Sequence, residues 1–351
     1  MQIGIIGLKF TGKTTLFNGI TGAGLPTGQG GVDPHRAIGK VPDPRLDRLT
    51  AMFNPKREVH ATVEWVDIPG FELGAGADGG RESTRFLEHG RRMDALAQVI
   101  RCFDGGFGEP DPMGELETVA LELALADLQI VENRLEKLAK EKSKMGKVAN
   151  PLEPPMMERF RDQLEADRPL RDLELNPDEQ KIAAGYAFLT LKPMIVVLNF
   201  EEGAEAPAEV VQAAADSGAE VVALCGSMEE ELAELSPEEA AEFLADLGIE
   251  EAAMGRMIRA CYGALDLQSF FTVGPDECRA WAVRKGATAP VAAGVIHSDL
   301  QRGFIRAEVT AYDDLIAAGD MAAAKAAHKV RLEGKGYEVQ DGDILEIRFS
   351  V

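Results

Sequence analysis

Residues 7–14, Gly7-Leu8-Lys9-Phe10-Thr11-Gly12-Lys13-Thr14, have the types and spacing G-x-x-x-x-G-K-[ST] of a phosphate-binding loop. Glycines permit backbone turns that other residues resist, so consecutive N–H groups can point inward at phosphate oxygens. The helix that follows adds free N–H groups and the positive end of its dipole. Lys13 would reach the β and γ phosphates, and the Thr14 hydroxyl would ligate Mg²⁺. Lys9, Phe10, Thr11 and Thr15 complete the stretch expected to bind nucleotide. A carboxylate near the metal is expected at the end of another strand, and Asp67-Ile68-Pro69-Gly70 supplies it. Asp67 would hold Mg²⁺, mostly through water, and the Gly70 amide would contact the γ phosphate.

Base recognition should come from a loop after a later strand, and Asn199-Phe200-Glu201-Glu202 follows the apolar run Met194–Leu198. In GTP-specific proteins this pattern is N-K-x-D, whose aspartate accepts from guanine N1–H and N2–H₂. Here Phe200 stands at the lysine position and Glu202, one methylene longer, at the aspartate position. Both changes weaken guanine specificity. An adenine could be read through its N6 amine, with Asn199 as one acceptor.

The elements that must carry these groups are legible from periodicity. Gln2–Ile6 reads as a short buried strand, and Lys13–Ile20 as a helix with Leu16, Phe17 and Ile20 at helical spacing. Leu25–Gly31, rich in Gly and Pro, reads as a flexible connection. His60–Ile68, Ala95–Phe103, Met194–Asn199 and Val221–Cys225 read as further strands. Helical patterns separate them, which predicts a parallel α/β sheet. Residues 115–146 keep one apolar stripe for about 30 residues, far above the mean helix of about 11–12. Pro151, Pro154 and Pro155 interrupt it and a second helical pattern begins at Met156. This predicts a two-helix arm inserted into the sheet domain; the alternative is a helix lying flat on the sheet. From Phe270 the runs Arg279–Val283, Phe304–Thr310 and Ile344–Phe349 surround one helix, Ala322–Leu332, as in a compact α+β module.

The 351 residues are 45% apolar and 27% charged, an ordinary globular composition with room for two or three domains. No stretch approaches the roughly 20 apolar residues of a membrane span. Met-Gln-Ile-Gly-Ile-Ile-Gly has no basic n-region and is not expected to be a signal peptide. Cys102, Cys225, Cys261 and Cys278 are far apart, which argues against a zinc site or disulfides and for reduced thiols in a cytoplasm. A net charge of −22 disfavours nonspecific nucleic-acid binding by the whole surface. One segment departs from it. Arg134, Lys137, Lys140, Lys142, Lys144 and Lys147 face only Glu136 and Glu141, a local +4 near the tip of the predicted arm. It is either a solvated coiled-coil tip or a contact for RNA.

These motifs, in this order, resemble the YchF-type Obg-like ATPases of the P-loop TRAFAC GTPase superfamily, essentially end to end. The resemblance rests on Pro42-Asp43-Pro44-Arg45-Leu46-Asp47, Arg101-Cys102-Phe103, Glu122–Leu128, Phe188-Leu189-Thr190-Leu191-Lys192-Pro193, Gly303–Val309 and Asp341-Gly342-Asp343-Ile344 with Arg348-Phe349. It implies a Ras-like nucleotide domain (1–114 and 190–268), a helical coiled-coil insertion (115–189) and a C-terminal β-grasp TGS domain (269–351). It also implies ATP preference through an N-x-x-E motif, which Asn199 and Glu202 reproduce, and partnership with the ribosome or translation factors.

The switch regions diverge from the family pattern. Lys9 and Phe10 replace the Pro and Asn of G-x-P-N-V-G-K-S. The switch I threonine falls on Gly31, whose place at the metal Asp33 or water could take. Phe71 follows Gly70 where other P-loop proteins carry a glutamine. The family's compensating histidine is missing from Asp104–Glu115. His35 and His89, nearest the two switches, are the candidate replacements. The expectation is a cytoplasmic protein that binds a purine nucleoside triphosphate with Mg²⁺, ATP over GTP, and hydrolyses it slowly as a switch on the translation machinery. A nucleotide-gated module with negligible hydrolysis and a GTP-specific GTPase are the alternatives.

Overall fold

The computed structural model describes residues 1–351 except 29–30, 32, 72–75, 107, 205, 248, 250 and 351. Part of the predicted flexible stretch (29–30) thus lies outside the described residues. The strands are β1 (Gln2–Ile6), β2 (His35–Lys40), β3 (Glu58–Val59), β4 (Thr62–Asp67), β5 (Ala95–Cys102), β6 (Met194–Phe200), β7 (Glu220–Leu224), β8 (Leu267–Thr272), β9 (Cys278–Arg284), β10 (Phe304–Ala311), β11 (Arg331–Glu333) and β12 (Asp343–Phe349). Five helices matter below: α1 (Lys13–Thr21), α2 (Pro44–Phe53), α3 (Gly76–Arg91), α4 (Pro112–Met145) and α5 (Glu153–Glu165).

The chain divides into two compact units, one of residues 1–38 and 64–261 and one of 39–63 and 262–351. The first is built on the sheet β2-β4-β1-β5-β6-β7. β1 runs parallel to β4 and β5, β5 to β6, and β6 to β7. β5 and β6 are buried nearly from end to end, which is why they read as continuous apolar runs rather than alternating ones.

α4 is 34 residues long, capped by the Asp111 side chain accepting from Gly114 N–H and ended by Gly146 in the left-handed region. It serves two cores. Leu116, Val119 and Leu123 pack with Ile100 and Leu198 of the sheet and with Val210 of the helix Ala208–Asp216. Val131 and Leu138 instead pack against Met157, Phe160 and Leu164 of α5. The helix therefore combines both arrangements that its length suggested. It lies on the sheet in its first half and forms a helical arm in its second. α5 starts at Glu153, three residues before the expected Met156, with its prolines in the first turn where no N–H is needed.

Asp127 sits fully buried at the junction. Its carboxylate accepts from Leu189 N (3.1 Å), Thr190 N (2.7 Å), Thr190 Oγ1 (2.9 Å) and Arg91 Nη1 (2.9 Å). The point where the chain returns from the arm is thus tied to α4 and to the end of α3.

The second unit carries the sheet β11-β10-β12-β8-β9-β3. Residues 39–63 fold here although they precede Asp67 in sequence, because β3 pairs with β9. Arg45 of α2 donates to both Asp43 oxygens (2.9 and 2.8 Å) and to both Asp341 oxygens (2.7 and 3.2 Å). Asp341 also receives Ser269 N–H at 2.9 Å. The expected single helix Ala322–Leu332 is corrected. Helix formation stops at Ala326, and Arg331–Glu333 pairs with β10 as an edge strand. Helices at Ala289–Ile296, Ser298–Arg302 and Tyr312–Ala318 join it.

Candidate functional site

A cavity of about 490 Å³ opens where the loops following β1 and β4 meet α1 and α3. These loops leave the C-terminal ends of parallel strands, where α/β sheets commonly place their ligands. Lys9, Phe10, Gly12, Lys13, Thr14 and Thr15 line it, together with Asp67 and Gly70. Gly12 caps α1 with φ +91°, and a Cβ there would collide with the Asn199 Nδ2. Only glycine fits on both counts. Gly70 is required by close approach, since a Cβ would stand 2.7 Å from Lys13 Nζ and 2.8 Å from Leu8 O. Phe10 holds φ +62° without being glycine and is 45% exposed in the cavity wall. A left-handed aromatic residue is a costly way to shape a loop.

Lys13 is buried, and its Nζ donates to Leu8 O at 2.5 Å. Burial lowers its pKa to about 8, against the opposing pull of the Asp67 and Glu115 carboxylates. Thr14 Oγ1 donates to Asp67 Oδ2 at 2.8 Å. Burial raises the Asp67 pKa, opposed first by the Thr14 bond and then by Lys13 and His35. A hydroxyl and a carboxylate, both hard oxygen donors, fit Mg²⁺ held partly through water. The charge that burial makes costly on Asp67 is what a divalent cation would offset. Bound there, the cation would draw electron density from phosphate oxygens.

His35 and His89 both reach the cavity wall, as do Gly31 and Asp33. Burial lowers the His89 pKa, which keeps the ring neutral near physiological pH. Phe71 instead turns into the core, 4.6 Å from the Phe86 ring centroid. Gly7, Thr11, Asn199, Phe200 and Glu202 are not among the cavity's lining residues. Thr11 is fully buried. Asn199 lies behind the loop, its Nδ2 donating to Thr11 O at 3.0 Å and its Oδ1 accepting from Gly226 N at 2.9 Å. One of its acceptor lone pairs is therefore already engaged, and the side chain ties the end of β6 to the phosphate loop. Glu202 is exposed in the turn after β6, whose neighbour Glu201 accepts from Asp104 N at 3.2 Å.

Sequence reasoning missed Glu82, Arg85, Phe86 and Phe103, all in the cavity wall. The signal for three of them was present. Counting back four and seven residues from His89 on a helix gives Arg85 and Glu82 on its own face, with Phe86 between. Phe103 is placed by Arg101, whose Nη1 donates to the Phe103, Asp104 and Gly108 carbonyls at 3.2, 3.1 and 2.9 Å.

The predicted basic patch is partly spent within the fold. Arg134 donates to both Glu153 oxygens (2.9 and 2.8 Å) and to Glu141 at 3.2 Å. Lys140 pairs with Glu136 at 2.6 Å. Lys137, Lys142, Lys144 and Lys147 are exposed at the end of α4 and just beyond it. Among the described residues no helix is long and apolar enough to cross a membrane.

Over residues 267–350 the chain matches the family model YchF-GTPase_C, described as a protein of unknown function (DUF933). It is 43% identical to the "Ribosome-binding ATPase YchF" of Bacillus subtilis (strain 168), with 100% of both chains aligned. The "Obg-like ATPase 1" of Oryza sativa subsp. japonica is 35% identical over 100% of this chain and 92% of its own length. The structure of the Schizosaccharomyces pombe YchF GTPase superposes with a TM-score of 0.86 at 32% identity, covering 99% of this chain and 97% of that one. A phosphate-loop fold shared from end to end with relatives of this identity has one reading: the chain belongs to the YchF family.

Proposed function

We propose that this protein binds a purine nucleoside triphosphate with Mg²⁺, ATP in preference to GTP, hydrolyses it slowly, and acts as a nucleotide switch on the ribosome or translation machinery. One observation carries the reading. Lys13 and the Thr14–Asp67 pair line a single cavity with Lys9, Phe10, Gly12 and Thr15. Lys13 would bind the β and γ phosphates, Thr14 and Asp67 would hold Mg²⁺, and the Gly70 N–H would meet the terminal phosphate. The relatives' names speak of an ATPase and of the ribosome, which supports the nucleotide and the partner. The exposed lysines Lys137, Lys142, Lys144 and Lys147 are the proposed contact to ribosomal RNA.

Slow turnover follows from what surrounds the terminal phosphate. Phosphoryl transfer depends on positioning and charge stabilisation. Gly31 offers no side-chain oxygen, and Phe71 is turned into the core. His35 and His89 are the histidines at the wall. A second reading, a nucleotide-gated binding module with negligible hydrolysis, is favoured by the same Gly31 and by the absence of a histidine in 104–115.

Equilibrium binding of ATP and GTP beside single-turnover hydrolysis, with Lys13→Ala as control, separates the readings. Turnover that disappears in the control supports the enzyme. Tight binding without turnover supports the module. Failure to bind either nucleotide overturns both.

A further inference from the structure

Lys9 occupies a telling place in the cavity. The loop after β4 closes on the phosphate loop at Leu8, where the Gly70 backbone lies against Leu8 O and Lys13 Nζ. If Lys13 binds the β and γ phosphates, this is the terminal-phosphate end of the cradle, and Lys9 emerges from the next residue. Its Nζ lies 2.9 Å from both carboxylate oxygens of Glu82 on α3. Lys9 and Glu82 line the same cavity. Their side chains are 30% and 36% exposed, so solvent screens the pair and leaves it exchangeable.

We infer that Lys9 distinguishes triphosphate from diphosphate: Glu82 holds it when no γ phosphate is present, and a γ phosphate takes it over. This deepens the proposed function and rests on it. A terminal phosphate brings about two negative charges and three acceptor oxygens, a stronger partner than one half-solvated carboxylate. A diphosphate has no oxygen at that end, so the Lys9–Glu82 pair persists. The exchange has a second consequence. Glu82 is on α3 and Lys9 is on the phosphate loop, so takeover by the γ phosphate releases a tie between them.

The test is the ratio of affinities for a non-hydrolysable triphosphate and the matching diphosphate (AMPPNP with ADP, GMPPNP with GDP) in Mg²⁺. It compares wild type, Lys9→Met, Lys9→Arg and Glu82→Gln. Losing one charge-assisted bond in Lys9→Met should lower the ratio about tenfold while diphosphate affinity holds. Lys9→Arg should keep most of the ratio. Glu82→Gln should raise it by about threefold, because the Lys9–Glu82 ion pair no longer competes with the γ phosphate. The inference is overturned if Lys9→Met leaves the ratio unmoved or weakens both ligands equally, or if Glu82→Gln lowers it. Should Lys9→Met fail to fold, Glu82→Gln decides alone. A wild-type protein that binds neither ligand overturns the nucleotide-binding reading instead.

Discussion

Asp127 and Lys13 lie in the same unit, one at the root of the helical arm and one at the head of α1, and both carry charge away from water. The fold treats them differently. Asp127 accepts four hydrogen bonds, one of them from the guanidinium of Arg91, so its lone pairs are answered within the protein. Lys13 bonds to the carbonyl of Leu8, and burial pushes its pKa down to about 8. A buried charge is tolerated when paired and hydrogen-bonded, and is costly otherwise. Asp127 is therefore a fastener. Lys13 has one carbonyl bond and the more distant Asp67 and Glu115 carboxylates, so under the proposed function an anion would complete its pairing, and a cation would do the same for Asp67, whose pKa burial raises.

The largest effects come from removing each group in turn. Lys13→Ala should lower nucleoside triphosphate affinity at least about a hundredfold, since several charge-assisted bonds go at once. Its melting temperature should stay level or rise, because a poorly paired buried charge is gone. Asp127→Ala should do the reverse. It leaves Arg91 without its carboxylate and three donors at 189–190 unanswered, and should cost about 3–5 kcal/mol in urea unfolding. Nucleotide affinity per folded molecule should hold. A Lys13→Ala protein as destabilised as Asp127→Ala would break the distinction.

Asn199 tests the ground between the two. The sequence offers it as one acceptor for an adenine, and in the fold its amide also joins Thr11 O to Gly226 N from behind the loop. Asn199→Ala should cost about 1–3 kcal/mol of stability, the range for leaving buried partners unsatisfied. It should weaken ATP and GTP alike. A selective loss of ATP would assign it the base-reading role instead.

Much of this was legible in the sequence. The phosphate loop and Asp67 are local patterns whose spacing is set by the ligand, so they read directly from the chain. Four of the six stretches that carry the family resemblance form joints. Glu122–Leu128 meets Phe188–Pro193 at Asp127, and Pro42–Asp47 meets the C-terminal Asp341 through Arg45. Spacing along the chain cannot reveal such pairings, because the partners are as far as 296 residues apart. Edge strand β2, with only Gly39 buried, has no apolar alternation to betray it. The α3 wall is missed for another reason: His89 is read alone, without Arg85 and Glu82 on the same helical face.

The arm repeats the contrast on a smaller scale, since its basic residues divide into spent and free-facing groups. Arg134 is half-buried and shared between Glu153 and Glu141, whereas Lys137, Lys142, Lys144 and Lys147 are exposed. Changing those four lysines to Gln should flatten the salt dependence of ribosome association, each lost phosphate contact reducing the slope by up to about one. Stability should barely move. Association that keeps its salt slope would remove the arm tip as the contact. Arg134→Ala should act on the fold instead, and its effect should follow the protonation of Glu153. Hydrogen bonds from Arg134 and from the Tyr186 hydroxyl hold the Glu153 carboxyl below the usual carboxylate range. A carboxylate depressed in the folded state adds stability above its unfolded pKa of about 4.3 and loses it as pH falls further. Amide exchange in α5 should therefore quicken as pH falls below about 4.3, once corrected for intrinsic rates, in wild type but not in Glu153→Gln. If both respond equally, the pair is a surface ornament and the arm is held by Phe160, Leu164 and their apolar neighbours alone.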